Sequence, residues 1–215
     1  MLNAYTIEIL QASAETLYMI LLSTLGAVLI GWPLGTIIYI SEKLHPRPKL
    51  AKCLNFVINM TRSIPFIIFM VTLLPLTRWL IGTAIGLNAA IIPLTLGAAP
   101  LFARLVIQAY QEIPSGIIEY AQSIGATPTQ TIWLMLKPET KPLLIDAVAM
   151  TAITLVSYSA LAGAIGGGGL GDLAIRYGYQ RFDTQTMLLT TAILIVIVQS
   201  IQWLGHVIRQ TVQQG

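Results

Sequence analysis

The sequence has few of the residues that soluble domains and metal sites depend on. Only 10% of its 215 residues are charged, whereas soluble globular domains average about 25%. It contains one cysteine, Cys53, which excludes an internal disulfide framework and a four-cysteine metal site. Hydrophobic residues make up 55% of the chain, so it lacks the polar side chains to cover a core in water. These shortages exclude a soluble enzyme, a nucleic-acid-binding protein and a disordered chain, and they indicate an integral membrane protein in a lipid bilayer.

The chain also lacks the patterns of catalysis and nucleotide binding. A phosphate-binding loop needs a Lys-Ser or Lys-Thr pair after its glycines, and the glycine run 166–171 has none. That run is expected to be a flexible helix end or a re-entrant turn. His45 and His206 lie near the ends of apolar runs, and the acidic residues are isolated. We therefore expect no catalytic residue, no metal site and no cofactor bound by this chain.

The long apolar runs predict an all-α, polytopic membrane protein with five transmembrane helices. A helix needs about 20 apolar residues to span the hydrocarbon core. We expect one domain over residues 1–215, with a core at about 15–208, and no secretory signal peptide. The expected spans are 17–40, 57–77, 87–107, 143–165 and 184–205. The second is the least regular, because it must extend back through Arg62.

The basic residues predict the orientation. Nine of the twelve fall on one side of a five-span chain and three on the other, and the richer side faces the cytoplasm. The N-terminus is then outside and the C-terminus is cytoplasmic. The cytoplasmic set is Lys43, Arg47, Lys49, Lys52, Arg62, Arg104, Lys137, Lys141 and Arg209, and the external set is Arg78, Arg176 and Arg181.

The cytoplasmic segment 108–142 is longer than a simple connection needs, and its sequence indicates two helices. Gly125 stands where a left-handed C-terminal cap is wanted. Thr127 offers an N-cap, with Pro128 at the first helical position and Gln130 completing a capping box. We expect the second helix to stop before Pro138. The result is either a hairpin lying on the bilayer or a small knob that enters a groove of a partner protein.

This segment carries a family resemblance. Glu119-Tyr120-Ala121, Gly125-Ala126-Thr127-Pro128, Ile132 and Leu136-Lys137-Pro138 resemble the EAA loop of ABC importer permeases. Further motifs fit the same family at 62–67, 92–100 and 166–171. The runs 157–160 and 175–179 resemble permeases of methionine uptake transporters.

The resemblance implies a type I ABC importer transmembrane domain with a cytoplasmic helix-turn-helix coupling loop, in the cell inner membrane. It implies a homodimer of permeases, two ATP-binding subunits that hold ATP and Mg²⁺, and an extracytoplasmic methionine-binding protein. The implied substrate is L-methionine, with transport of the D-form left open. The alternatives are a permease for another amino acid or small organic solute, an intramembrane enzyme, or a channel that needs no ATPase.

The resemblance and the residue types also nominate site residues. The residues implied to contact the ATPase are Glu119, Ala121, Gly125, Ala126, Thr127 and Pro128. Polar residues inside spans often mark a pathway, and the candidates are Thr95, Ser157, Tyr158 and Ser159. For the Ser and Thr hydroxyls the alternative is a hydrogen bond to a backbone carbonyl of the bundle. Asp146 is expected to pair with Lys141 or Arg104.

Overall fold

A computed structural model describes residues 2–214, and the side chains of residues 5–213. Within that range the chain forms helices and no strand, which confirms the all-α class. In chain order the α-helices are α1 (Leu2–Tyr39), α2 (Pro48–Ser63), α3 (Phe66–Thr72), α4 (Leu74–Ile81), α5 (Leu87–Gln111), α6 (Ser115–Ser123), α7 (Pro128–Gln130), α8 (Lys137–Ala164), α9 (Gly169–Leu173) and α10 (Thr184–Gln214). Three π-helical segments adjoin them, at Ile40–Leu44, Thr131–Leu136 and Ala174–Tyr179.

Among the described residues, four helical stretches are long and apolar enough to cross a bilayer, and a bent pair of helices offers a fifth crossing. The four are Tyr5–Leu44, Leu87–Gln111, Pro128–Ala164 and Thr184–Gln213. The expected second span, 57–77, is not one helix, because α2 and α3 meet at an angle of 105°. Ile64 is extended there, with φ −86° and ψ 127°, as expected for a residue that precedes a proline. Pro65 therefore breaks this element.

The expectation that a helix stops before Pro138 is wrong. The helix continues from α7 through the π-helical segment Thr131–Leu136 into α8, so that Pro128–Ala164 is one stretch of 37 residues. The N–H of Lys137 donates to the carbonyl of Ile132, five residues back. Pro138 lies where the backbone hydrogen bonds change from partners five residues back to partners four residues back. At this change the missing N–H of proline does not interrupt the helix.

Helices α1 and α5 pack against each other in the core of the bundle, and three glycines of α1 let the two helices approach closely. A Cβ added at Gly31 would lie 2.6 Å from the carbonyl oxygen of Ala99, and one at Gly35 would lie 2.5 Å from that of Ala103. Gly26 faces the side chain of Thr95 in the same way. Small residues at such positions let helix backbones approach within a membrane.

The bundle has two ends that differ in their contacts. At one end, which we call the hairpin end, Tyr39, Tyr110, Ile132 and Leu136 are buried together at the base of α6 and α7. At the other, the glycine-loop end, the loop of residues 165–168 that joins α8 to α9 packs beside the start of α5. There the N–H of Gly86 donates to the carbonyl of Gly166 at 3.0 Å.

Ion pairs lie at both ends. At the hairpin end Asp146 of α8 pairs with Arg209 of α10 at 2.6 Å, so the expected pairing with Lys141 or Arg104 is wrong. The expectation considered only neighbours in sequence and in the preceding loop, whereas the true partner is 63 residues away. At the glycine-loop end Arg176 lies 2.8 Å from Asp172 and 3.7 Å from Glu8.

Candidate functional site

The bend after α6 is built by a set of backbone hydrogen bonds that requires a left-handed residue. Gly125 has φ +72° and is exposed. Its N–H donates to the carbonyl of Gln122 at 3.0 Å, and the N–H of Ala126 donates to that of Ala121 at 2.9 Å. These two bonds make a Schellman motif, which satisfies the last carbonyls of α6. The left-handed cap expected at Gly125 is confirmed.

The next helix begins with the expected capping box. The Thr127 hydroxyl accepts from the N–H of Gln130 at 3.3 Å, and the Gln130 side-chain oxygen accepts from the N–H of Thr127 at 2.9 Å. Pro128 occupies the first helical position. Both helix ends at the bend are therefore satisfied locally, and the bend has a defined shape. We call residues 115–130 the hairpin.

The hairpin exposes some of the nominated residues and buries another. Glu119, Gly125 and Thr127 are exposed, and Ala126 and Pro128 are half-buried. Ala121 is fully buried, so its methyl group supports the hairpin from inside and is not available to a partner.

The hairpin stands on a packed base that joins it to the membrane helices. Tyr110, at the end of α5, accepts a hydrogen bond from the indole N–H of Trp32 at 3.0 Å. Its ring lies 5.3 Å from that of Tyr39. The stretch Pro128–Ala164 then runs on into the bundle for 37 residues, about 55 Å at the rise of an α-helix. This helix therefore connects the hairpin to the far end of the bundle without a break.

The structure brings together three of the sequence motifs near the break between α2 and α3. The rings of Phe66 and Tyr158 stack with centroids 3.8 Å apart and an interplanar angle of 3°. Gly97 lies under Phe66, because a Cβ there would come within 2.8 Å of the phenyl ring. Phe66, Gly97 and Tyr158 therefore form one contact between α3, α5 and α8, which we call the aromatic junction.

The other pathway candidates do not share this junction. The Thr95 side chain faces Gly26 of α1, on the other side of α5 from Gly97, since two positions on a helix differ by about 200°. The Ser159 hydroxyl is buried and donates to the carbonyl of Val156 at 2.8 Å, which is the structural alternative considered for it. Ser157 is exposed.

Sequence reasoning selected Tyr158 for its phenol but missed Phe66 and Gly97. Both lie in motifs that the sequence already marked, at 62–67 and 92–100. Phe66 could have been noted because it follows a proline that breaks a helix, and Gly97 because it is a glycine inside an apolar helix. Neither signal names a contact partner, so the stack was not foreseeable.

The glycine-loop end is tied to α1 by two side chains. A Glu15 carboxylate oxygen accepts from the N–H of Gly169 at 2.9 Å, and the Thr16 hydroxyl accepts from the N–H of Leu170 at 2.8 Å. Gly168 and Gly169 have φ +82° and +75°, which suits them to glycine. The loop is thus an ordered turn with a fixed attachment. Within the described residues, no group of three His, Cys, Asp or Glu side chains is placed to hold a metal ion.

The chain matches known proteins over nearly its whole length. Residues 27–214 match the family described as binding-protein-dependent transport system inner membrane component. The probable D-methionine transport system permease protein MetI of Vibrio cholerae is 47% identical over 199 residues, which cover 92% of this chain and 88% of that protein. The Pasteurella multocida protein of the same description is 44% identical over 196 residues, 90% of each.

A solved structure has the same fold. A chain from the inward-facing MetNI methionine ABC transporter superposes with a TM-score of 0.96 and 41% sequence identity. The alignment covers 99% of both chains.

Proposed function

Because the chain belongs to the family of inner membrane components of binding-protein-dependent transport systems, we propose that it forms the translocation pathway for methionine in an ATP-driven ABC importer. The observation that carries this proposal is the 41% identity and TM-score of 0.96 to a chain of a methionine ABC transporter. The family consists of transport subunits, and ATP hydrolysis belongs to a separate subunit. L-Methionine is the proposed substrate. The descriptions of the bacterial relatives extend the proposal to D-methionine.

The orientation follows from the distribution of charge. We place the hairpin end in the cytoplasm, because nine of the twelve Lys and Arg residues belong to the loops and helix ends on that side of a five-span chain. The N-terminus then lies outside and the C-terminus inside. The glycine loop faces the side from which a methionine-binding protein delivers its substrate.

The hairpin is the proposed contact with the ATP-binding subunit. Its exposed residues, Glu119, Gly125 and Thr127, surround a bend whose shape is fixed by local hydrogen bonds. A rigid convex tip suits insertion into a groove, and Glu119 adds a charge that a basic or polar group of the partner can meet. Ala126 and Pro128 also lie at the tip, and the buried side chain of Ala121 packs inside the hairpin.

The helix that continues from the hairpin suggests how force reaches the pathway. We propose a homodimer of this chain with two ATP-binding subunits, which bind ATP and Mg²⁺. When those subunits close, their two docked hairpins approach each other, and each moves its own Pro128–Ala164 helix. Tyr158 lies on that helix and stacks on Phe66 of the broken element. Motion of the helix would therefore reach the aromatic junction directly. For this reason Tyr158 and its exposed neighbour Ser157 are the preferred pathway residues.

Contact through Glu119 can be tested by copurification in mild detergent. Glu119→Ala should reduce recovery of the ATP-binding subunit with the chain. Glu112→Ala is the matched control, because Glu112 is also an exposed acid of the same cytoplasmic segment but lies outside the hairpin. Equal recovery from both variants would contradict the assignment of Glu119.

The substrate can be tested by uptake in a methionine auxotroph from which the chain has been deleted. Restoring the chain should restore uptake of radiolabelled L-methionine, and excess unlabelled D-methionine should compete if both enantiomers are carried. If another amino acid competes and methionine does not, the alternative of a different small solute is correct. Uptake at full rate without the ATP-binding subunit would instead indicate a channel.

A further inference from the structure

An open apolar groove runs along the side of the bundle between α1, α8 and α10. Its volume is about 700 Å³. Small residues of α8 and α10 form part of it, and there a Cβ at Gly205 would come within 2.8 Å of the Ala149 methyl group. Helices α8 and α10 therefore approach closely at this point, and their small side chains leave the space that the groove occupies. The lining includes Leu17, Leu21, Ile145, Val148, Ala152 and Ile201.

The groove has positive charge at one end only. Lys137 and Lys141 line its end at the hairpin side, and no acidic residue lines it. The two lysines are one helical turn apart on α8, so they share a face. No ion pair involves either lysine among the described side chains, and the nearby Asp146 is paired with Arg209.

Two tryptophans hold Lys137 in place. Its ammonium nitrogen lies 3.9 Å from the ring centroid of Trp133 and 4.9 Å from that of Trp32. Cation–π contacts of this kind position an ammonium group without neutralising its charge. Tryptophan also favours the boundary between headgroups and acyl chains. Lys137 is therefore a fixed positive group at the expected depth of a lipid headgroup.

A second apolar groove meets the first at this lysine. It has a volume of about 440 Å³ and lies beside α1 and the π-helical segment before α8. Trp32 and Lys137 line both grooves. Two apolar grooves that share one cationic point can accommodate a molecule with one anionic headgroup and two acyl chains.

We propose that the two grooves bind an anionic phospholipid, with its phosphate on Lys137 and Lys141 and its acyl chains in the grooves. The charge, the aromatic pair and the lysine shared by the two grooves all favour a lipid over a helix of a second copy. The site is separate from the hairpin tip and from the aromatic junction, and it does not depend on which solute is transported. Its occupant would link α1, α8 and α10 at the level where the hairpin's helix enters the membrane.

The test measures quenching of tryptophan fluorescence by brominated phospholipids. Of the four tryptophans, Trp79 and Trp203 are exposed and lie outside both grooves, so Trp79→Phe with Trp203→Phe leaves only Trp32 and Trp133. The full chain is purified in mild detergent with the subunits that stay bound. It is titrated with brominated phosphatidylglycerol and with brominated phosphatidylcholine of the same acyl chains.

We expect phosphatidylglycerol to bind more tightly than phosphatidylcholine, with an affinity that falls as salt is added. Each lysine should contribute about five-fold to the affinity, so Lys137→Gln with Lys141→Gln should weaken the binding of phosphatidylglycerol about 25-fold. Lys49→Gln with Lys52→Gln is the matched control, because this basic pair on α2 lines neither groove, and it should leave the affinity unchanged. Lys141→Gln alone removes an exposed side chain and gives the five-fold effect without a folding risk.

Equal affinity for the two lipids, or no loss in the lysine variants, would overturn the proposal. A second copy in the groove is detected by disulfide cross-linking of Val148→Cys, made in a Cys53→Ser background because Cys53 is exposed. Efficient cross-linking between two chains through position 148, together with no quenching by either lipid, would show a protein contact there and would also overturn it.

Discussion

Substitution of Gly125 tests the most specific feature of the hairpin, its left-handed bend. Gly125 has φ +72°, and a Cβ built on it meets no atom within 4 Å. The cost of a side chain is therefore conformational, about 1–2 kcal/mol for an ordinary L-residue. That cost shifts the balance between the bent and unbent hairpin by about 5–30-fold. Gly125→Val should lower transport-linked ATP hydrolysis of the reconstituted complex by up to a similar factor, while membrane insertion is unchanged.

The same assay separates backbone strain from a need for small size. Asparagine tolerates the left-handed region better than valine, so Gly125→Asn should retain more coupled activity than Gly125→Val. Gly116→Val is the matched control, because Gly116 lies in the same hairpin with equal space around it and no positive φ. If Gly125→Val couples as well as Gly116→Val, or if Gly125→Asn falls as far as Gly125→Val, the argument from strain is refuted.

Three further predictions test the contacts that hold the bundle around the pathway. Asp146→Arg should place two like charges together and cost about 1 kcal/mol, seen as a Tm lower by about 2–4 °C, and adding Arg209→Asp should restore it; no recovery in the double variant would contradict the pair. Thr16→Val should leave the N–H of Leu170 without its acceptor, at a cost of about 1–3 kcal/mol, and hydrogen exchange at Leu170 should quicken; unchanged exchange would show that the bond is not needed. Tyr158→Phe should keep the aromatic stack and most of the uptake, whereas Tyr158→Ala should lose both stack and uptake, so equal uptake by the two variants would remove the junction from the mechanism.

The features that the sequence predicted well are those decided by a few neighbouring residues. The bend at Gly125 and the capping box of Thr127 and Gln130 depend on local hydrogen bonds, and the structure contains both. The all-α class follows in the same way from the length of the apolar runs.

The features that the sequence did not predict depend on a change of helix type or on distant partners. Pro138 is normally a sign that a helix ends, but the π-helical segment before it shifts the hydrogen bonds and lets the helix continue. Asp146 pairs with Arg209 on α10, and the residues around Asp146 in the sequence do not indicate that this distant helix packs beside it. The stack of Phe66 on Tyr158 requires the 105° break and the space at Gly97 together, so no single segment encodes it.

The central claim is that the hairpin is a cytoplasmic contact through which a separate ATP-binding subunit drives the membrane helices. Labelling of one thiol tests it most directly: Ser123→Cys, on the exposed surface of α6, in a Cys53→Ser background, with a maleimide that does not cross membranes. The account predicts labelling in inside-out vesicles stripped of the ATP-binding subunit, protection when that subunit is added back, and none in intact cells. Labelling from outside intact cells, or no protection by the bound subunit, would contradict it.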